Sequence, residues 1–130
     1  MEFEDKIELN KPNLNGRIYT TELWQEVLKD YQKLIDEKRA LGRVGYGQSA
    51  ALDLGEVMFL VKEAKIEDNF LKVKIETINN IKYGFNHAEA FIEAKKAAIR
   101  PVGIAEIGKD GKVYNYKLLY FAIVPKEDAA

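Results

Sequence analysis

Residues 70–78 read Phe70-Leu71-Lys72-Val73-Lys74-Ile75-Glu76-Thr77-Ile78. Leu71, Val73 and Ile75 alternate with Lys72, Lys74 and Glu76, so an extended segment here has one apolar face and one charged face. A strand with one dry and one wet face suits an antiparallel sheet, because strands of a parallel sheet are covered on both sides. Just upstream, Glu56 to Ile66 is also strand-like, and Asp68-Asn69 supplies turn residues between the two. The spacing therefore predicts a hairpin.

Toward the start of the chain, Glu2 to Leu9 alternates loosely through Phe3, Ile7 and Leu9 and predicts a short strand. Asn10 to Gly16 carries turn chemistry, with three Asn, one Pro and one Gly. Thr20 or Thr21 then caps a helix on which Leu23, Trp24, Val27, Leu28, Tyr31, Leu34 and Ile35 form a single apolar stripe. Trp24 on that stripe is expected in the core. Gly42 is a natural helix stop. Gly42 to Gly55, with four glycines, reads as one long loop.

Toward the end, Asn86 and Glu89 form a capping pair for a second helix over about Ala88 to Ala98. Pro101 ends that helix and opens an extended segment from Val102 to Ile107. Asp110-Gly111 makes a hairpin turn, and Val113 to Val124 is a long β-rich strand closed by Pro125. The order is strand, helix, two strands, helix, two strands. That predicts an α+β fold: a mostly antiparallel sheet or partly closed β-barrel flanked by two helices. One domain over residues 1–125 is expected, followed by a polar tail over residues 126–130.

Composition narrows the function classes. In 130 residues, 20 basic side chains nearly balance 21 acidic ones, for a net charge of −1. No general pull toward nucleic acid or an anionic membrane follows from that balance. The absence of cysteine excludes disulfides and thiol catalysis. With one histidine, His87, a structural zinc site lacks ligands. Asp53, Glu56, Asp68 and Asp110 do not follow a calcium-loop spacing. No cofactor and no metal are expected. The charged start and the lack of a long apolar run predict a soluble protein.

Several short motifs, in order, carry a resemblance. Asn15-Gly16-Arg17-Ile18-Tyr19 precedes the first helix, and Leu41-Gly42 follows it. Leu52-Asp53-Leu54-Gly55-Glu56-Val57 leads into the hairpin, Pro101-Val102-Gly103-Ile104 opens a later strand, and Asp110-Gly111 precedes Leu118 to Pro125. Together they resemble the prohead (capsid maturation) proteases of tailed phages, whose fold is related to the herpesvirus assembly proteases. The resemblance implies a partly closed barrel and a role at the capsid. It also implies two departures. Tyr46, in Arg43-Val44-Gly45-Tyr46-Gly47, stands where the family has its general-base histidine. Ala105, in Ala105-Glu106-Ile107-Gly108, stands where it has its nucleophilic serine.

A phenol is a poor base near neutral pH, and a methyl cannot attack a carbonyl. The expectation is therefore a non-enzyme: a catalytically degenerate relative with no catalytic residues, Tyr46 and Ala105 marking the altered positions. Its partners would be the major capsid protein or other head proteins, in decoration, head completion or assembly. Self-association stays open, and nucleic acid and membrane are not expected partners. Its place would be the virion capsid or the host cytoplasm. Two alternatives remain. One is an active protease or other hydrolase with a non-standard site, built on the chain's one serine, Ser49, and His87 or on a carboxylate pair. The other is a small binding or regulatory domain with a different strand order. Gly42 to Gly47 lacks the Gly-Lys-Ser/Thr ending of a phosphate loop.

Overall fold

A computed structural model describes residues 1–46, 54–79 and 86–130. The chain folds into a six-stranded sheet curled into a half-barrel, with two helices among the described residues. In chain order the elements are β1 (Glu2–Glu8), α1 (Thr21–Asp36), β2 (Leu41–Val44), β3 (Phe59–Glu67), β4 (Phe70–Thr77), α2 (His87–Glu93), β5 (Ala97–Ile107) and β6 (Val113–Pro125). The strands lie in the order β1-β4-β3-β2-β6-β5. Every pairing is antiparallel except that of β2 with β6. The α+β, mostly antiparallel, partly closed architecture expected from the sequence is the one observed.

The hairpin of β3 and β4 forms as the alternation demands, with Leu71, Val73 and Ile75 fully buried. Helix α1 starts where Thr20 accepts a hydrogen bond from the Leu23 amide at 3.2 Å. It lays Trp24 and Tyr31 across the sheet, where both are buried. Their rings meet Phe121 of β6 at centroid distances of 6.0 and 5.5 Å. The core thus sits between α1 and the concave face of the sheet.

Four boundaries differ from expectation, the simplest being that β3 starts at Phe59 while Glu56 closes a 3-10 turn over Leu54–Glu56. Helix α1 ends at Asp36, six residues before Gly42, with Lys38 in the left-handed region (φ 57). Gly42 is instead a strand residue. Leu41, expected before the helix stop, and Gly42 to Val44, read as loop, form β2, which joins the halves of the sheet by pairing with β3 on one side and β6 on the other. A Cβ at Gly42 would overlap the Phe59 ring and come within 2.6 Å of the Phe121 carbonyl. The glycine is there for close approach, which its neighbours in sequence do not reveal.

Helix α2 is also shorter than expected, ending at Glu93, with Lys95 at φ 58. Ala97 and Ala98, expected at its end, begin β5, and Pro101 lies inside that strand. β5 is an edge strand, where proline's missing N–H is tolerated. At the cap, Asn86 accepts from the Ala88 and Glu89 amides and donates to the Met58 carbonyl at 2.6 Å and to the Ile78 carbonyl. The Glu89 carboxylate accepts from the Thr77 hydroxyl at 2.7 Å, tying α2 to the end of β4.

The two edge strands meet at a seam held by side chains. Asp5 of β1 accepts from the Ile99 amide at 2.9 Å and from Arg100 at 3.1 Å, both in β5.

Candidate functional site

Beyond that seam the edges part and leave a groove of about 810 Å³. One wall is β5 from Arg100 to Ile107. The other is the end of β1 with the turn from Lys11 to Arg17 and Tyr19. Tyr46, Ala129 and Ala130 line it as well.

The turn is shaped by its own side chains. Asn13 Oδ1 accepts from the amides of Asn15 (2.9 Å) and Arg17 (3.0 Å), and Gly16 takes a positive φ of 75°. The Ile18 amide then donates to the Gly111 carbonyl and the Ile18 carbonyl accepts from Val113, pinning the turn to the tip of the β5–β6 hairpin. The Asn15-Gly16-Arg17 motif therefore does more than precede a helix: it builds a wall of the groove.

The groove mixes apolar and polar groups. Leu14, Ile104 and Ile107 are exposed within it, Leu14 at 78% of its full surface. Tyr19 and Tyr116 pack edge to face at 5.6 Å, with Trp24 beneath Tyr116. The Tyr116 hydroxyl is buried and has no hydrogen-bond partner among the described residues. Burial pushes its pKa well above the ordinary phenol value, with the Tyr19 phenol adding to the rise and Arg17 opposing it. Tyr19 is raised by burial too, again with Arg17 opposing.

Tyr46 and Ala105, 59 positions apart in sequence, line this same groove. Tyr46 is about half exposed and Ala105 half-buried. Burial raises the Tyr46 pKa, Arg100 and a hydrogen bond with the Ala130 backbone pull it down, and Asp128 raises it. At neutral pH the phenol is protonated and can donate a hydrogen bond.

The alternative pair is not brought to this groove by any described contact. Ser49 lies outside the described residues, as do Gly47 and Asp53. His87 opens α2 and lines a smaller cavity of about 260 Å³ with Arg43, Val44, Glu56, Met58 and Phe91. Arg43 and Glu56 form an ion pair there at 2.7 Å.

Sequence reasoning missed Arg100, which lines the groove, and gave Ile104 and Ile107 no role beyond the extended segment from Val102 to Ile107. A signal was present: Pro101 and Gly103 interrupt the alternation there, and β5 slips register at Val102/Gly103 and again at Ile104/Glu106. No helix among the described residues is long and apolar enough to cross a membrane.

No family model and no curated protein matches the chain. One expectation is corrected by comparison with solved structures. Tyr46 and Ala105 led to a non-enzyme, but a solved structure sharing this fold is a protease, and two altered positions do not establish that the chemistry is lost. The fold is similar to that of the bacteriophage T4 capsid assembly protease, gp21, with a TM-score of 0.75 and 20% sequence identity, over 95% of this chain and 80% of that one.

Proposed function

We propose that this chain works in phage capsid assembly as a protease-type domain, taking an extended segment of a head protein, the major capsid protein foremost, into the groove for hydrolysis. The observation that supports it is convergence. Tyr46 and Ala105, the positions that the resemblance aligns with the family's base and nucleophile, line one groove in a fold like that of a capsid assembly protease. The place of action is the assembling capsid or the host cytoplasm.

The groove suits a polypeptide. β5 is an edge strand, paired on one side by β6, and an extended segment can add along such an edge with main-chain hydrogen bonds. Leu14, Ile104 and Ile107 offer apolar contacts to alternate side chains.

Hydrolysis needs an attacking group and a base. The groove offers a protonated phenol at Tyr46 and a methyl at Ala105. Neither can serve, and His87 lines the other cavity, so the chain's one serine and one histidine, Ser49 and His87, enter the test as controls. The test is to incubate the chain with precursor head proteins and follow binding by co-elution and cleavage by mass spectrometry. Bound and shortened precursor is expected, and Ser49→Ala and His87→Ala tell whether shortening depends on either side chain. Precursor that elutes free and uncut would overturn the reading.

A further inference from the structure

Residues 126–130 do not leave the domain. The Lys126 amide donates to the Lys96 carbonyl at 2.8 Å, and a 3-10 turn over Lys126–Asp128 brings the chain back over β5 and β6. Ala129 is buried there, 7% exposed, in a cluster with Ala98, Ala122 and Val124 and with Val102 packed alongside. This cluster is separate from the main core, whose β5 and β6 residues, Ile99, Phe121 and Ile123, alternate with it along the strands.

The next residue is held from β5. Arg100 Nε donates to the Ala130 carbonyl at 2.9 Å, and the Ala130 backbone lies close enough to the Tyr46 phenol to lower its pKa. Arg100 is already fixed by Asp5 at 3.1 Å and by the Ile99 carbonyl at 2.7 Å. Its fork is thus oriented before anything binds, and a preorganised donor loses less entropy on binding. Arg100, Val102, Ala129 and Ala130 all line the groove.

These are the contacts a bound peptide makes: one small side chain seated among small residues, followed by a main-chain carbonyl held by a cation. We propose that this end of the groove is a subsite for a small side chain followed by a main-chain carbonyl, and that residues 126–130 occupy it in competition with the incoming head-protein segment. The inference rests on the groove receiving a polypeptide. The tether makes the internal occupant hard to displace, since a short linker supplies an effective concentration on the order of millimolar. A partner enters fully when its own contacts along β5 outweigh that occupancy.

The test uses the full chain and, as probe, the acetylated pentapeptide Lys-Glu-Asp-Ala-Ala, which copies residues 126–130. Two substitutions loosen the internal segment without touching the subsite. Ala129→Glu places a charge where Val102 and Val124 now pack. Lys126→Pro removes the amide that reaches Lys96, and Pro125, at φ −58 and ψ 139, accepts a following proline. Both variants should bind the probe at least tenfold more tightly than the parent, with NMR shift changes at Ala98, Val102 and Ala122, and a probe carrying Glu at its fourth position should not bind. Equal affinity of parent and variants for the probe would overturn the proposal, as would shifts located elsewhere on the fold. If Ala129→Glu does not fold, Lys126→Pro decides the matter, because it changes only an exposed turn. Head protein takes no part in this readout. Failure to bind capsid precursor would therefore sink the proposed function and leave this result standing, while failure of the probe would sink the subsite and leave that function standing.

Discussion

Strands β1 and β4 pair from Glu2 opposite Glu76 to Glu8 opposite Phe70 without a shift, whereas β5 and β6 slip register twice along their ladder. The first pair belongs to the more regular half, which slips once, between Val61 and Glu63 of β3. Its inner residues are buried, and its outer face is laced with opposite charges, such as Lys72 with Glu4 at 3.2 Å and Lys74 with Glu2 at 3.6 Å. The second pair exposes Ile104, Ile107 and Tyr114, carries Pro101 and Gly103, and lines the groove. Regular alternation assigns every side chain to core or solvent. A bulge re-aims side chains and leaves apolar groups facing outward, at some loss in packing. No large apolar side chain is exposed in β1, β3 or β4, while the half that slips twice lines the groove.

The largest effect should separate the halves directly. Leu71→Ala opens a cavity at a fully buried site in the regular half and should cost about 2–5 kcal/mol in chemical denaturation. Ile104→Ala, at a position 58% exposed, should stay within about 0.5 kcal/mol and instead weaken retention of head protein. A large stability loss from Ile104→Ala would break the division.

Gly42→Ala tests the joint between the halves. The added methyl meets the Phe59 ring and the Phe121 carbonyl, and only the ring can yield. A loss of about 1–3 kcal/mol is expected from overpacking, read from the denaturation midpoint. Asn86→Ala should cost a similar or slightly smaller amount, about 1–2 kcal/mol, because it removes the α2 cap and takes the Asn86 donor from the Ile78 carbonyl, while the Met58 carbonyl keeps the Ile78 amide at 3.0 Å.

The smallest effect lies at Tyr31, whose hydroxyl is buried and without a partner among the described residues. Burial lifts its pKa well above the usual 10.0. In the unfolded chain the phenol ionises at its ordinary value, so above about pH 10 the unfolded state binds fewer protons and stability falls as pH rises. Tyr31→Phe should gain up to about 1 kcal/mol at neutral pH by removing the unpaired hydroxyl. It should also flatten part of the alkaline decline. A parent whose stability does not fall between pH 10 and 12 would contradict this account.

Much of the fold could be read from residues close in sequence. Thr20 and Asn86 cap helices through amides two or three positions away, and Leu71, Val73 and Ile75 declare their buried face by period alone. The site was less legible. Tyr46 and Ala105 could be named through the resemblance, but that they share a groove depends on how β2 and β5 flank β6. Arg100 carried no pattern of its own. Its position follows from Asp5, 95 residues away, and from the carbonyl of Ala130.

By itself, the chain's order of residues determined the helix starts, the β3–β4 hairpin, the long last strand and the α+β class, because each rests on hydrogen bonds and periodicity within one or two turns or strands. Only the tertiary structure decided that Leu41–Val44 is a strand, that Ala97 and Ala98 leave the helix for β5, and that Ala129 is buried. Four residues around a glycine, or a run of alanines, have no preference strong enough to choose. A facing ring at Phe59, a parallel partner in β6 and a returning segment at Lys126 chose for them.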